Sequence, residues 1–140
     1  MEQAQGILEG LDERQRTAAT TLQGPVRIIA GAGAGKTRTV TRRIAYACAT
    51  GAWKPERVLA VTFSVKAAAE MRARLGQLGV GGGTGRSGLG AGTAGVTAAT
   101  FHSAALHQLN SVWADICEAP FPHVIEDQRA VVSRAISRAT

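Results

Sequence analysis

The stretch Ile28-Ile29-Ala30-Gly31-Ala32-Gly33-Ala34-Gly35-Lys36-Thr37 decides how this chain is read. An apolar run enters a series of glycines and alanines, then Gly-Lys-Thr, then a helical pattern. Such a loop turns consecutive backbone N–H groups inward, toward an anion. Glycine is needed where a side chain would hold the backbone away from phosphates. The Lys36 ammonium can reach the β- and γ-phosphates, and the Thr37 hydroxyl stands where Mg²⁺ would sit. The strict pattern G-x-x-x-x-G-K-[ST] asks for glycine at position 30, where this chain has Ala30. Gly31, Ala32, Gly33, Ala34 and Gly35 leave the loop itself intact. The bland alternative is a Gly/Ala-rich linker that happens to contain Lys-Thr, and the flanking strand and helix patterns weigh against it.

Outward from the loop, apolar runs and helical patterns alternate. Residues 26–30 read as a short strand of the buried, parallel kind. Upstream, residues 1–10 read as a loose lead-in. Asp12, with Gln15 three positions on, has the spacing of a capping box, which opens a helix to about residue 22, and Gly24-Pro25 closes it. Downstream, a helix from residue 36 to about 49 stops at Gly51. Residues 58–62 read as a second strand and 65–77 as a helix with Ala68, Met71 and Leu75 at helical spacing. Residues 96–100 read as a third strand, 102–113 as a helix, and 126 onward as a last helix. Between them, residues 79–95 are nearly all Gly, Thr, Ser and Ala and read as a flexible surface insertion. Gly83-Thr84-Gly85-Arg86-Ser87-Gly88 inside it has neither the strand nor the helix that a dinucleotide site requires. Alternating strands and helices predict an α/β fold, a parallel sheet of at least three strands with helices on both faces.

The 140 residues are 45% hydrophobic but only 4% aromatic, so alanine and aliphatic side chains must build the core. A formal charge of +6 favours a polyanionic partner, with simple solubility as the alternative. Cys48 and Cys117 have no C-x-x-C spacing and read as reduced, in keeping with a cytoplasmic protein. The first ten residues lack the order of a signal peptide, and no apolar run approaches the roughly 20 residues of a membrane span. A membrane partner is not expected.

Three segments carry chemistry beyond the loop. In Leu11-Asp12-Glu13-Arg14-Gln15, the Gln15 amide offers both a donor and an acceptor. Two readings stand side by side: an adenine-reading group and a helix cap. In Thr62-Phe63-Ser64-Val65-Lys66, at the carboxyl end of the second strand, an aromatic lies beside hydroxyls and a lysine. Ligands collect at such strand ends, and the set could stack a nucleic-acid base and hold a phosphate; inward packing of Phe63 is the alternative. Thr100-Phe101-His102-Ser103 repeats the design at the third strand. His102 has no neighbours to complete a metal set and reads as a hydrogen-bonding group near a bound strand.

Taken in order, these segments resemble the N-terminal part of a superfamily-one DNA helicase of the UvrD/Rep/PcrA type. Leu11 to Gln15 resembles the adenine-reading Q motif. Ala30 to Arg38 resembles motif I, in which alanine at the first position is usual. Val58 to Met71 resembles motif Ia, and Val96 to Ser103 resembles motif Ib. The resemblance implies a RecA-like P-loop NTPase fold, ATP and Mg²⁺ as cofactors, and single-stranded or duplex-junction DNA as partner, with DNA-repair proteins beside it. Gln15 would read adenine, Arg38 would stack on the base, and residues 30–37 would hold the triphosphate, with Lys36 and Thr37 catalytic and Thr37 at the metal. Thr62, Phe63, Ser64, Lys66, Thr100, Phe101, His102 and Ser103 would line the DNA path. Val65 departs from the asparagine usual in motif Ia, which puts any polar contact from that position in doubt.

Hydrolysis also needs a carboxylate for Mg²⁺ and one for the attacking water. The paired acids after the loop, Glu126-Asp127, read as the start of the last helix. The chain is therefore expected to be the N-terminal part of a first motor domain, residues 11–140, inactive alone in a protein that moves 3′-to-5′. A helicase–nuclease subunit of the RecB/AddA type shares these motifs. A non-catalytic nucleotide-binding regulator is the alternative from another class.

Overall fold

A computed structural model describes residues 2–81, 95–122 and 128–139, and the chain divides into two compact units, Met1–Leu106 and His107–Thr140. In the first unit, helix α1 (Glu2–Ile7) and helix α2 (Glu13–Thr20) precede the phosphate loop. Helix α3 (Lys36–Ala49) follows it. A 3₁₀ turn, Pro55–Arg57, leads into strand β1 (Leu59–Thr62), helix α4 (Val65–Gln77) and strand β2 (Thr97–Thr100). Helix α5 (Phe101–Ile116) starts directly at the end of β2, and helix α6 (Gln128–Ala139) lies in the second unit.

The cap residues are those the sequence nominates. Asp12 accepts from the Gln15 N–H at 2.8 Å while the Gln15 side chain accepts from the Asp12 N–H at 3.3 Å, a reciprocal capping box. Ser64 Oγ accepts from Ala67 N at 3.1 Å and starts α4. Thr39 and Thr41 are buried in α3, and each returns its hydroxyl to a carbonyl of the preceding turn, Gly35 at 3.1 Å and Thr37 at 2.9 Å.

β1 and β2 pair in parallel, with Leu59 opposite Thr97 and Thr62 opposite Thr100, and α4 is the crossover packed on both strands. Ile44, Ala60, Leu75, Val96 and Ala98 form the core beneath this βαβ unit, with Val40, Cys48, Trp53, Val58, Met71 and Val80 at its border. Alanines on the strands let α4 approach closely, in line with the low aromatic content. A second cluster, Leu8, Leu11 and Ala19 with Tyr46, joins α1 and α2 to α3.

Several expectations need correction. The lead-in forms a helix up to Ile7, because Arg42 of α3 donates to the carbonyls of Ile7 and of Glu9, the latter at 2.9 Å. Residues 26–30 form no strand, since none of the described residues offers them a ladder; Ile29 is 81% exposed, and the Ala30 carbonyl is taken by a side chain instead. The described sheet has two strands where three were expected. Helices α3 and α4 share one hydrophobic cluster with the sheet. Helix α2 ends at Thr20, two residues early, and α5 begins one residue early and runs on to Ile116. The glycine-rich segment 82–94, with its G-x-G-x-x-G, and Glu126-Asp127 lie outside the described residues.

In the second unit, Trp113 meets the edge of Phe121 with centroids 5.3 Å apart, and its indole N–H donates to Ala119 O at 2.7 Å. Among the described residues no helix is long and apolar enough to cross a membrane.

The thiols of Cys48 and Cys117 are free. Burial, and secondarily the Glu56 carboxylate, push the Cys48 thiol above its ordinary pKa. A pKa raised by folding means that the neutral thiol supports the fold below the ordinary thiol range, and this support is lost as pH rises through the raised value. The melting temperature should therefore fall more steeply on the alkaline side for the native chain than for Cys48→Ala. Parallel alkaline limbs for the two would disprove it.

Candidate nucleotide and nucleic-acid site

The phosphate loop turns on glycines in the left-handed region, Gly33 at φ 77° and Gly35 at φ 76°. Gly35 is the N-cap of α3 and provides no side-chain cap, so the first N–H groups of the helix face the loop mouth with no side-chain acceptor. Lys36 bends back over the loop and donates to Ala30 O at 2.8 Å and Gly31 O at 2.6 Å. Its ammonium is thereby held beside the space a phosphate would enter. Thr37 lies in the first turn of α3, with its side chain exposed.

Gln15 does two jobs at once. Besides the capping box, its Nε2 donates to Ala34 O at 3.3 Å, which fixes α2 against the loop. A side chain at position 35 would crowd this amide, since a Cβ there would lie 3.1 Å from Nε2. The helix-cap reading is thus what the structure shows; an adenine edge would have to use the second N–H and the second lone pair of the amide. Arg38 aims at the turn before α2: a Cβ at Gly10 would lie 2.6 Å from its Nη2, and Gly10 itself has φ 69°. Gln15, Ala30, Ala34 and Lys36 line one cleft of about 500 Å³, and with them Asp12, Glu13, Arg14, Ala18, Ile28, Ile29 and Thr39, which sequence reasoning did not assign to a ligand.

At the other group of candidates, the parallel register sets Thr62 opposite Thr100, and the next residues meet. The Phe63 and Phe101 rings lie 5.0 Å apart at 39°, with Phe63 90% exposed and Phe101 half exposed. The inward alternative for Phe63 is thereby excluded. The hydroxyls around them are engaged locally. Thr62 Oγ1 accepts from Ser64 N at 3.2 Å. Thr100 N donates to Ser103 Oγ at 3.1 Å, and Ser103 N donates to Thr100 Oγ1 at 3.2 Å. These bonds set the corners that present the rings. Lys66 and His102 are exposed beside them.

A helix entered through an uncapped, glycine-turned loop with a lysine at its first position, together with a parallel βαβ unit, makes this an α/β domain. The match is specific: the UvrD/REP helicase N-terminal domain covers residues 11–137, and the chain belongs to that family. It is 46% identical over 132 residues to the ATP-dependent DNA helicase UvrD2 of Mycobacterium tuberculosis, covering 94% of this chain and 18% of that protein. It is 41% identical to the ATP-dependent DNA helicase PcrA of Bacillus subtilis, over 69% of this chain and 12% of that one. Identity to DNA helicase II of Escherichia coli is 39%, over 74% of this chain and 13% of that one. The chain thus spans less than a fifth of the length of these relatives.

Proposed function

We propose that this chain is the ATP-gripping, strand-contacting part of a DNA helicase motor that moves 3′-to-5′ in repair or replication. The observation that carries the reading is the joined pair of Thr-Phe corners, with rings 5.0 Å apart at adjacent strand ends, in a chain that also holds a phosphate loop. A small-molecule kinase has no use for such a pair; a strand of bases stacks on it. The triphosphate would lie across the backbone of residues 31–35 with Lys36 at its β- and γ-oxygens. Thr37 would offer an oxygen to Mg²⁺, which offsets phosphate charge when bound. Gln15 would pair with the adenine edge, with Arg38 beside the base. The two acids lining the cleft, Asp12 and Glu13, begin helix α2, with Asp12 engaged as its cap, so on this reading the 140 residues bind ATP without appreciable hydrolysis. DNA-stimulated turnover by the purified chain, lost in Lys36→Ala, would refute that part.

The nucleic-acid reading is tested by single-stranded DNA binding at low salt. Removing one base-stacking ring costs about 1–3 kcal/mol, so Phe63→Ala should weaken binding roughly fivefold to a hundredfold. Affinity should also fall steeply with salt. Unchanged affinity in both Phe63→Ala and Phe101→Ala would remove the aromatic corner from the proposal.

A further inference from the structure

Helix α2, which carries Gln15, is joined to α3 through Ala19 and held near both ends by hydrogen bonds. It is eight residues long, Ala19 is its one buried residue, and its last turn has no basic side chain. Its C-terminal carbonyls are held from outside. Arg43, on α3, donates through Nη1 to Ala18 O at 2.8 Å and to Thr21 O. It thereby supplies both the hydrogen-bond donor and the positive charge that favour a helix C-terminus.

The same guanidinium lies over the Trp53 ring, its carbon 5.3 Å from the centroid. Trp53 is fixed in turn: its backbone N–H donates to Ala47 O at 3.1 Å, and it borders the core beneath β1. Arg43 is thus gripped between a helix end and an indole. One terminal nitrogen, Nη1, serves both carbonyls while the guanidinium carbon lies over the ring, a reach that the lysine side chain, one bond shorter, does not match. The far end of α2 meets the phosphate loop through Gln15 Nε2 and Ala34 O.

We propose that Arg43 is a positioning residue for adenine recognition, holding α2 at the distance that presents the Gln15 amide above the phosphate loop. The inference rests on the reading of Gln15 as the adenine-binding group. It assigns Arg43 a role in base selection and none in phosphate binding.

The test measures affinities of the 140-residue chain for ATP, GTP and inorganic tripolyphosphate, with melting temperature alongside, for the native sequence, Arg43→Lys, Trp53→Leu and Gln15→Ala. Arg43→Lys keeps the charge but shortens the reach to the two carbonyls, so it tests the contact without deleting the side chain. The ATP-to-GTP preference should drop roughly threefold to tenfold in Arg43→Lys, the scale of one hydrogen bond. It should drop less in Trp53→Leu, while tripolyphosphate affinity stays at the native level in both. An intact preference in Arg43→Lys, with the preference lost in Gln15→Ala, overturns the role of Arg43 and leaves adenine reading standing. Equal falls in ATP and tripolyphosphate affinity would mark a general scaffold residue and also overturn it. A preference unaffected by Gln15→Ala overturns the adenine reading, and this inference with it.

Discussion

Lys36→Ala should lower ATP affinity roughly tenfold to a hundredfold while leaving the melting temperature nearly unchanged. A hydrogen bond to a charged group contributes about 1.5–3 kcal/mol, and each 1.4 kcal/mol is about a factor of ten. Some of that gain is offset in the native chain, because Lys36 must first leave the carbonyls of Ala30 and Gly31. The lower end of the range is therefore the firmer expectation. The fold should be indifferent, since Lys36 is exposed and water can replace its amine at both carbonyls. Calorimetric titration with ATP reads the first effect and thermal melting the second. An unchanged affinity would mean that the lysine does not reach the phosphates.

Leu75→Ala has the largest expected effect on stability. Leu75 is 1% exposed and lies at the centre of the cluster with Ile44, Ala60, Val96 and Ala98. Truncating a buried leucine costs about 2–5 kcal/mol, depending on how far the surroundings collapse into the gap. Here two of the four neighbours are alanines, which have no rotamer that could swing into the space, so the upper part of that range applies. Set against the roughly 5–15 kcal/mol of a typical domain, that loss shifts the midpoint of chemical denaturation well downward. Val65→Ala, at a 75% exposed position on the same helix, is the control and should change little. Equal midpoints for the two variants would contradict the core described above.

What could be read from the sequence follows the range of the forces involved. The limits of α3 and α4 match their expected spans because local signals set them: Gly35 and Ser64 at the starts, and Gly51 past the end of α3. Strand β1 begins one residue late, since Val58 N donates to Pro55 O and closes the 3₁₀ turn instead. Residues 26–30 have the composition of a strand, but a strand exists only with a ladder beside it, and a ladder is not local. Helix α1 was missed for the same reason, because it is held by Arg42, more than thirty residues away. In the site, Gln15, Ala30, Ala34 and Lys36 meet in one cleft, while Thr37 and Arg38 are not part of its lining. Arg43 left no trace, because its acceptors are backbone carbonyls and any residue supplies those. The contact between Phe63 and Phe101 was likewise hidden until the parallel register put their threonines face to face.

That ring pair has a consequence for base composition. Each phenylalanine already leans on the other, so on the proposed reading an incoming base would displace an aromatic neighbour as well as water. A two-ring purine covers more of the exposed faces than a one-ring pyrimidine, and so repays more of the lost contact. On the proposed strand-binding reading, this corner should therefore favour purine-rich tracts through the larger area of the two-ring bases.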